Sequence, residues 1–288
     1  MRTCITSPSV TENYYCVDKL LGRGSYGEVY RGYALAEPDI PVAVKVPKMD
    51  LTLPDFLSAY HRTVREAEFL QKTSSPYVVR YVDHCRDSSF PFLVMEYVPE
   101  TLAKVQLTPQ LVEDITVQLP EIVAALTDAG VIHCDLREHN IGYQNRKLKL
   151  LDFGLAIPFE HSVLYVERQA RDYLPPEFRR FNWVTKTLDT YSAGRVLEHL
   201  LTGEYSSSPK KTFAKMKEIY GRDPPKSFQR LLRRMLRPDS FLRPTPPELR
   251  TLAQDALTSL KKNNPFSLDA MVPLAEAGID FGISSSSP

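Results

Sequence analysis

The chain has 288 residues, of which 43% are hydrophobic and 25% are charged, and its formal net charge is +1. A chain of this length can bury a substantial core, and its balanced charge excludes a chain-wide attraction to nucleic acid or to a membrane surface. No window approaches the run of about 18 apolar residues that a membrane-spanning helix needs.

The four cysteines lie far apart in the sequence and show no C-x-x-C spacing; they are Cys4, Cys16, Cys85 and Cys134. They are too few to staple a chain of this size, so the simpler interpretation is a reducing compartment. The N-terminal residues also lack the apolar run of a secretory signal peptide. We therefore expect a cytoplasmic protein.

Residue patterning divides the chain into two structured parts with a further segment at each end. Residues 1–13 are polar and without periodicity, which predicts a flexible lead. Residues 14–97 carry short runs of β-branched and aromatic residues, which indicate strands, and a helical period at residues 53–72. Residues 98–262 carry mainly long amphipathic patterns, which indicate helices, and residues 263–288 form a predicted tail.

A glycine-rich turn, which contains Gly22, Gly24 and Gly27, lies between the first two predicted strands. Because glycine has no β-carbon, the backbone N–H groups of such a turn can approach phosphate oxygens closely. The glycine run alone is weak evidence for phosphate binding, since ordinary turns have the same residues. Its position before a strand, rather than before a helix, argues against a dinucleotide-binding loop.

The most informative segment reads His133-Cys134-Asp135-Leu136-Arg137-Glu138-His139-Asn140, and Asp152-Phe153-Gly154 follows after a short hydrophobic strand. Its carboxylate and amide oxygens are the hard ligands that Mg²⁺ requires. A zinc site is not favoured, since no second cluster of cysteine and histidine completes a tetrahedron. The spacing of Asp135, Asn140 and Asp152 resembles the catalytic loop and the metal-binding motif of protein kinases.

The resemblance implies a role in phosphoryl transfer for four residues of these motifs. Asp135 would be the base that accepts or orients the substrate hydroxyl proton, and the charge of Arg137 would face the γ-phosphate of ATP. Asn140 and Asp152 would bind Mg²⁺, with Mn²⁺ as the alternative metal.

Lys45 ends the run Val42-Ala43-Val44-Lys45, which resembles the kinase strand whose lysine holds the α- and β-phosphates of ATP. Taken singly, a lysine on a strand is usually an exposed edge charge. Glu66 and Glu68 are both candidates for its partner on the predicted helix, and either is by default a solvated charge. Glu66 has the spacing to Pro76 that the ion-pairing glutamate has in kinases, so we expect a Lys45–Glu66 pair.

The segment Met95-Glu96-Tyr97-Val98 follows a predicted strand and resembles the hinge between the two lobes of kinases, although a plain strand end has similar residues. The residues that the resemblance assigns to ATP binding are Leu21, Gly22, Gly24, Gly27, Val29, Ala43, Lys45, Met95, Glu96 and Val98.

Two later segments extend the resemblance toward the end of the chain. Pro175-Pro176-Glu177 stands where kinases have Ala-Pro-Glu, and Leu242-Arg243-Pro244-Thr245 resembles their late Arg-Pro-Thr element. A buried ion pair between Glu177 and Arg243 is implied. The match covers roughly residues 14–260 and implies an α+β, bilobal kinase fold, with a small, mainly β N-lobe that includes one helix and a larger, mainly helical C-lobe.

The implied function is an ATP- and Mg²⁺-dependent kinase that phosphorylates serine or threonine in protein substrates. Cys134 stands where regulated kinases have an arginine that clamps an activation-loop phosphate, so we expect activity that does not depend on loop phosphorylation. Arg137 and Ala170 depart from the serine/threonine pattern and leave open a pseudokinase that acts as a nucleotide-binding scaffold and a tyrosine-specific kinase. A small-molecule kinase of related fold is a further alternative, which Glu177, Asp189 and Arg243 disfavour.

Basic residues are concentrated between Pro209 and Arg237, where ten lysines and arginines and two acidic residues give a local net charge of 10 − 2 = +8. Most such runs are solvated helix faces. The alternative is a binding site for an acidic partner. Nucleic acid is less favoured, and no membrane partner is expected.

Overall fold

The computed structural model describes residues 3–5, 12–24, 27–47, 53–85, 91–160, 168–263 and 265–266. The chain divides into two compact units, one of residues 1–99 with 151–156 and the other of residues 100–150 with 157–288. The first unit therefore includes Leu151–Ala156 from the middle of the chain. The sequence predicted a single boundary between residues 97 and 98, with no later segment in the first part. No helix of the described residues is long and apolar enough to cross a membrane.

An antiparallel sheet forms most of the first unit. Its strands in the described residues are β1 (Thr3–Cys4), β2 (Tyr15–Arg23), β3 (Gly27–Ala34), β4 (Glu37–Pro47), β5 (Tyr81–Cys85) and β6 (Phe92–Glu96), paired in the order β1-β2-β3-β4-β6-β5. Val42, Val44 and Val46 alternate along β4 and pack into one buried cluster with Phe92. Because side chains alternate between the faces of a strand, Lys45 points away from this cluster.

A disulfide joins Cys4 and Cys16, whose Cα atoms are 3.9 Å apart. The two residues face each other where β1 pairs with β2, so strand pairing brings together cysteines that are twelve positions apart. Cys85 and Cys134 are buried free thiols. Wide spacing in the sequence therefore does not prevent pairing here, and that spacing no longer supports the expected reducing compartment.

The helix of the first unit, α1 (Leu53–Lys72), follows the predicted residues 53–72. Thr63, Glu66, Ala67 and Leu70 are buried, and their steps of three and four residues define one face of the helix. Glu68 is exposed. Burial thus separates the two glutamates that the sequence left as competitors.

The second unit is mainly helical, which with the β sheet of the first unit confirms the predicted bilobal α+β kinase fold. Its helices in the described residues are α2 (Pro109–Asp128), α3 (Pro176–Phe181), α4 (Leu188–Thr202), α5 (Pro209–Tyr220), α6 (Lys226–Met235) and α7 (Pro246–Lys262). Two short antiparallel pairs are formed by β7 (Val131–Ile132), β8 (Ile141–Gln144), β9 (Lys147–Leu150) and β10 (Ile157–Pro158), in which β8 pairs with β9 and β10 with β7. The short 3₁₀ turns are Glu138–Asn140, Arg168–Tyr173 and Ser240–Leu242.

Most of helix α4 is buried in the second unit, with every residue from Leu188 to Glu198 inside the core. Gly194 permits its close approach to the end of α6, since a β-carbon there would lie 2.9 Å from a methyl group of Leu236. Phe266, which follows α7, packs against Tyr220 and Phe228, at ring distances of 4.8 and 5.5 Å. Residues 267–288 of the predicted tail lie outside the described residues.

The predicted ion pair between Glu177 and Arg243 is present and confirmed. Both terminal nitrogens of Arg243 donate to the carboxylate of Glu177 at 2.7 Å, and its Nε donates to the carbonyl of Arg237 at 2.9 Å. The Arg243 side chain is fully buried. This bidentate contact joins Arg243, three residues before α7, to the start of α3.

Arg243→Ala is expected to lower the free energy of unfolding by about 3–5 kcal/mol, because Glu177 would be left as a nearly buried charge without its partner. Arg250→Ala is the matched control, since it breaks the partly exposed Arg250–Glu121 pair, whose loss costs at most about 1 kcal/mol. Melting temperatures of both variants measure the difference. Equal shifts in the two variants would contradict this account.

Candidate functional site

The ammonium of Lys45 contacts two carboxylates in the first unit. It donates to both oxygens of Glu66, at 2.9 and 2.8 Å, and to Oδ1 of Asp152 at 2.7 Å. The contact with Asp152 lies within the first unit, to which Leu151–Ala156 belongs. The predicted Lys45–Glu66 pair is thus present, and the aspartate of the predicted metal motif contacts the same ammonium.

Electrostatics keeps Lys45 charged despite its burial. Burial alone lowers the pKa of Lys45, but the carboxylates of Asp152 and Glu66 outweigh it and raise the pKa above its usual value. Glu66 also accepts the backbone N–H of Phe153 at 3.2 Å. The β4 strand, the α1 helix and the Asp152 segment therefore hold one positive charge in a defined place.

The glycine-rich turn joins β2 to β3, and Ser25 and Tyr26 at its tip lie outside the described residues. A β-carbon on Gly27 would lie 2.7 Å from the carbonyl oxygen of Val46, so the packing of the sheet requires glycine there. Gly22 is different, because nothing lies within 4 Å of the place of its β-carbon. Open space at an exposed glycine is suited to the close approach of a phosphate group.

The remaining residues assigned to ATP binding also lie in the first unit. Ala43 and Met95 are buried cross-strand partners in β4 and β6. Leu21, Val29 and Val98 are half-buried. The N–H of Glu96, the residue after Met95, donates to the carbonyl of Arg80 at 2.9 Å.

In the second unit, Asn140 holds Asp135. The amide nitrogen of Asn140 donates to the backbone carbonyl of Asp135 at 2.8 Å and to its Oδ2 at 2.7 Å. Arg137 Nε lies 3.3 Å from Asp135 Oδ1, an ion pair without hydrogen-bond geometry. The structure therefore brings Asp135, Arg137 and Asn140 together, as the motif spacing predicted.

A buried carboxylate on α4 holds the start of this loop. Asp189 accepts the backbone N–H groups of His133 and Cys134 at 2.7 and 3.1 Å. Burial raises the pKa of Asp189 to about 6, and the two backbone donors oppose the shift. Asp189 is therefore ionised at neutral pH.

Cys134 is not accessible as a reactive thiol. Its side chain is buried, and burial, followed by the charges of Asp189 and Asp135, raises the pKa of the thiol. A neutral buried thiol cannot clamp a phosphate group.

Each unit, taken by itself, has a hard oxygen ligand of the kind that a divalent cation prefers. In the second unit, Asn140 uses its amide nitrogen on Asp135, which leaves its carbonyl oxygen as a ligand, and in the first unit Asp152 supplies a carboxylate. Within the described ranges, no group of three or more histidine, cysteine, aspartate or glutamate side chains could hold a metal alone. Mg²⁺ ordinarily binds through one or two protein ligands, phosphate oxygens and water, so these residues suit it.

One buried residue of the catalytic loop, Glu138, has contacts that the sequence does not predict. Glu138 is buried and reaches Tyr173 and His199, which lie far away in the sequence. The only signal was a glutamate between Asp135 and Asn140, at a position where a solvated loop charge is the default. Neither partner has a spacing that points to Glu138.

Comparison with known proteins gives one family and several relatives. Residues 15–256 match the family described as the protein kinase domain. Calcium-dependent protein kinase 13 of Arabidopsis thaliana is 30% identical over 203 residues, which cover 67% of this chain and 38% of that protein. Serine/threonine-protein kinase pkn2 of Myxococcus xanthus is 32% identical over 209 residues, which cover 67% of this chain and 25% of that protein.

Calcium-dependent protein kinase 16 of Oryza sativa subsp. japonica is 28% identical over 255 residues, which cover 81% of this chain and 46% of that protein. The chain thus spans less than half the length of each of these relatives. The family match runs from the start of β2 into α7 and so includes every motif residue described above. This chain therefore belongs to the eukaryotic-type protein kinase family, whose members use ATP and a divalent metal.

Proposed function

We propose that the chain is a kinase that transfers the γ-phosphate of ATP, with Mg²⁺, to serine or threonine hydroxyls of protein substrates. The observation that carries the proposal is the ammonium of Lys45, held within 2.9 Å by Glu66 and Asp152. A largely buried cation held by carboxylates from two other segments costs desolvation energy that a purely structural role does not require. Such a fixed ammonium is suited to contact phosphate oxygens in one defined position.

Each of the site residues has its own role in phosphoryl transfer. When bound, Mg·ATP supplies the phosphoryl group, and the metal neutralises part of its charge. Lys45 holds the α- and β-phosphates, and Glu66 keeps the lysine in place. Asp135 orients the incoming hydroxyl and accepts its proton, with Asn140 fixing the aspartate. Arg137 supplies positive charge toward the transferred group.

Glu66→Gln is expected to weaken Mg·ATP binding about tenfold, because Lys45 loses one of the two charges that position it, and a charge-assisted hydrogen bond contributes about 1.5–3 kcal/mol. Glu68→Gln is the matched control on the exposed face of α1 and should bind as wild type does. Isothermal titration of each variant with Mg·ATP gives the dissociation constants. Equal affinities for the two variants would remove the proposed role of Glu66.

Asp135→Asn is expected to reduce phosphoryl transfer at least about 100-fold while Mg·ATP binding persists, because the amide cannot accept the hydroxyl proton. Transfer of radiolabelled phosphate to a peptide library measures the rate, and phosphoamino-acid analysis identifies the acceptor. A wild-type chain that binds nucleotide without transferring phosphate would be a pseudokinase scaffold. Label on tyrosine, or on small molecules alone, would overturn the serine/threonine assignment.

We further propose that activity does not require activation-loop phosphorylation. Support comes from Cys134, whose buried thiol replaces a phosphate-clamping arginine. Ser162 and Tyr165, the loop hydroxyls that phosphorylation would use, lie outside the described residues, as does the side chain of Ala170.

The double substitution Ser162→Ala with Tyr165→Phe is expected to keep kcat within about twofold of wild type, because the buried Cys134 stands where an arginine would clamp a loop phosphate. Steady-state kinetics on the best library peptide measures kcat. A collapse of the rate, reversed when only Ser162 or only Tyr165 is restored, would show that the loop is regulated by phosphorylation.

An acidic protein segment remains our proposal for a partner of the basic residues 209–237. Lys215, Lys217 and Arg234 already pair with acidic residues of the chain, which reduces the available charge. Several others are exposed and have no ion-pair partner among the described residues, namely Lys210, Lys211, Lys226, Arg230 and Arg237. These five charges favour an acidic segment by simple attraction.

A further inference from the structure

Glu138 is a buried carboxylate inside the catalytic loop. It opens the 3₁₀ turn Glu138–Asn140, three residues after Asp135, and is 2% exposed. A carboxylate removed from water costs free energy unless its oxygens receive hydrogen bonds. The roles proposed above for Asp135 and Asn140 make no use of it.

Each oxygen of Glu138 has a partner from a different segment of the second unit. Oε2 accepts a hydrogen bond from the hydroxyl of Tyr173, and Oε1 lies 3.1 Å from Nδ1 of His199. Tyr173 ends the 3₁₀ segment Arg168–Tyr173, just before α3, and His199 lies in the last turn of α4. One side chain thus joins the catalytic loop to two other elements.

The two partners are themselves held in position. The ring of Tyr205 stacks on His199 at 4.5 Å and meets Tyr173 edge-on at 5.1 Å. Arg195 lies 5.0 Å from the ring of Tyr205 and donates to the backbone carbonyls of Asp172 and Ser206. The contacts of Glu138 therefore have little freedom to move.

Tyr173 remains a hydrogen-bond donor at physiological pH. Burial, followed by the negative charge of Glu138, raises the pKa of its hydroxyl well above the usual value. The hydroxyl proton is thus available to the carboxylate throughout the working range of an enzyme.

Helix α4 holds the catalytic loop at both ends. Asp189, in its first turn, binds the backbone of His133 and Cys134, and His199, in its last turn, meets Glu138. Ten residues separate the two on the helix, which places them about 15 Å apart at 1.5 Å per residue. A loop fixed at two separated points of one buried helix cannot rotate as a body.

We propose that Glu138 is a positioning residue for phosphoryl transfer. Through Tyr173 and His199 it fixes the turn that carries Asn140, and through Asn140 it fixes Asp135. The inference rests on the proposed function, since it supposes that Asp135 and Asn140 act on substrate and metal. A displacement of about 1 Å in such groups can cost about 100-fold in rate.

The test compares kcat and KM of four variants. Glu138→Ala is expected to lower kcat at least about tenfold with KM for ATP unchanged, because the loss falls on the reacting geometry. Glu138→Gln should keep most activity, because its amide can accept from Tyr173 and donate to His199. Tyr173→Phe should lower kcat by a smaller factor. The double variant Glu138→Ala with Tyr173→Phe should lower kcat no further than Glu138→Ala alone does, since the Tyr173–Glu138 hydrogen bond is already lost.

Tyr220→Phe is the matched control, because it removes a buried tyrosine hydroxyl of the same unit that bonds the carbonyl of Leu201 instead of the catalytic loop. It should leave kcat unchanged. Hydrogen exchange gives a second readout that does not depend on catalysis. The amides of residues 135–140 should exchange faster in Glu138→Ala and Tyr173→Phe, and at the wild-type rate in Tyr220→Phe.

Unchanged kcat and unchanged exchange in Glu138→Ala would overturn the inference while leaving the proposed function intact. A multiplicative loss in the double variant, or a Glu138→Gln variant as defective as the alanine one, would overturn it as well. If Glu138→Ala does not fold, the kcat and exchange of Tyr173→Phe decide. If wild type transfers no phosphate, the proposed function fails, and exchange still shows whether Glu138 holds the loop.

Discussion

The geometry of the catalytic loop depends on one buried carboxylate, Asp189. Cys134 has a φ angle of 65°, a left-handed conformation that costs a residue with a β-carbon about 1–2 kcal/mol. The hydrogen bonds from His133 and Cys134 to Asp189 offset this cost, because bonds to an ionised acceptor are stronger than neutral ones. Asp135 follows directly, so the direction of its side chain is set by this backbone turn. The protein thus keeps a strained residue where the proposed chemistry needs it.

Other ion pairs with at least one buried or largely buried member join segments that are distant in the sequence. Lys45 binds Glu66 and Asp152 in the first unit, and Arg243 binds Glu177 in the second. Buried ion pairs add little net stability over apolar packing, since desolvation offsets their attraction, but loss of one partner is costly. They therefore restrict which segments can lie together.

Periodicity and motif spacing predicted most of the fold and many site contacts. The burial of Glu66 and the exposure of Glu68 follow from the 3.6-residue period of α1, which places the two on different faces. The contact of Asn140 with Asp135 follows from their separation within one short loop. Such features depend on neighbours within a turn, a strand or a loop, so a single sequence contains the information needed to predict them.

The sequence by itself thus determined the family, the order of the elements and the identity of the motif residues. Only the tertiary structure decided that Cys4 bonds Cys16, that Leu151–Ala156 joins the first unit, and that Glu138 is buried between two other segments. These contacts arise when whole strands pair or whole helices pack, which brings together residues that no local period relates. The sequence gives the identity of a cysteine or a glutamate, but it does not show whether the partner of that residue is water or a distant side chain.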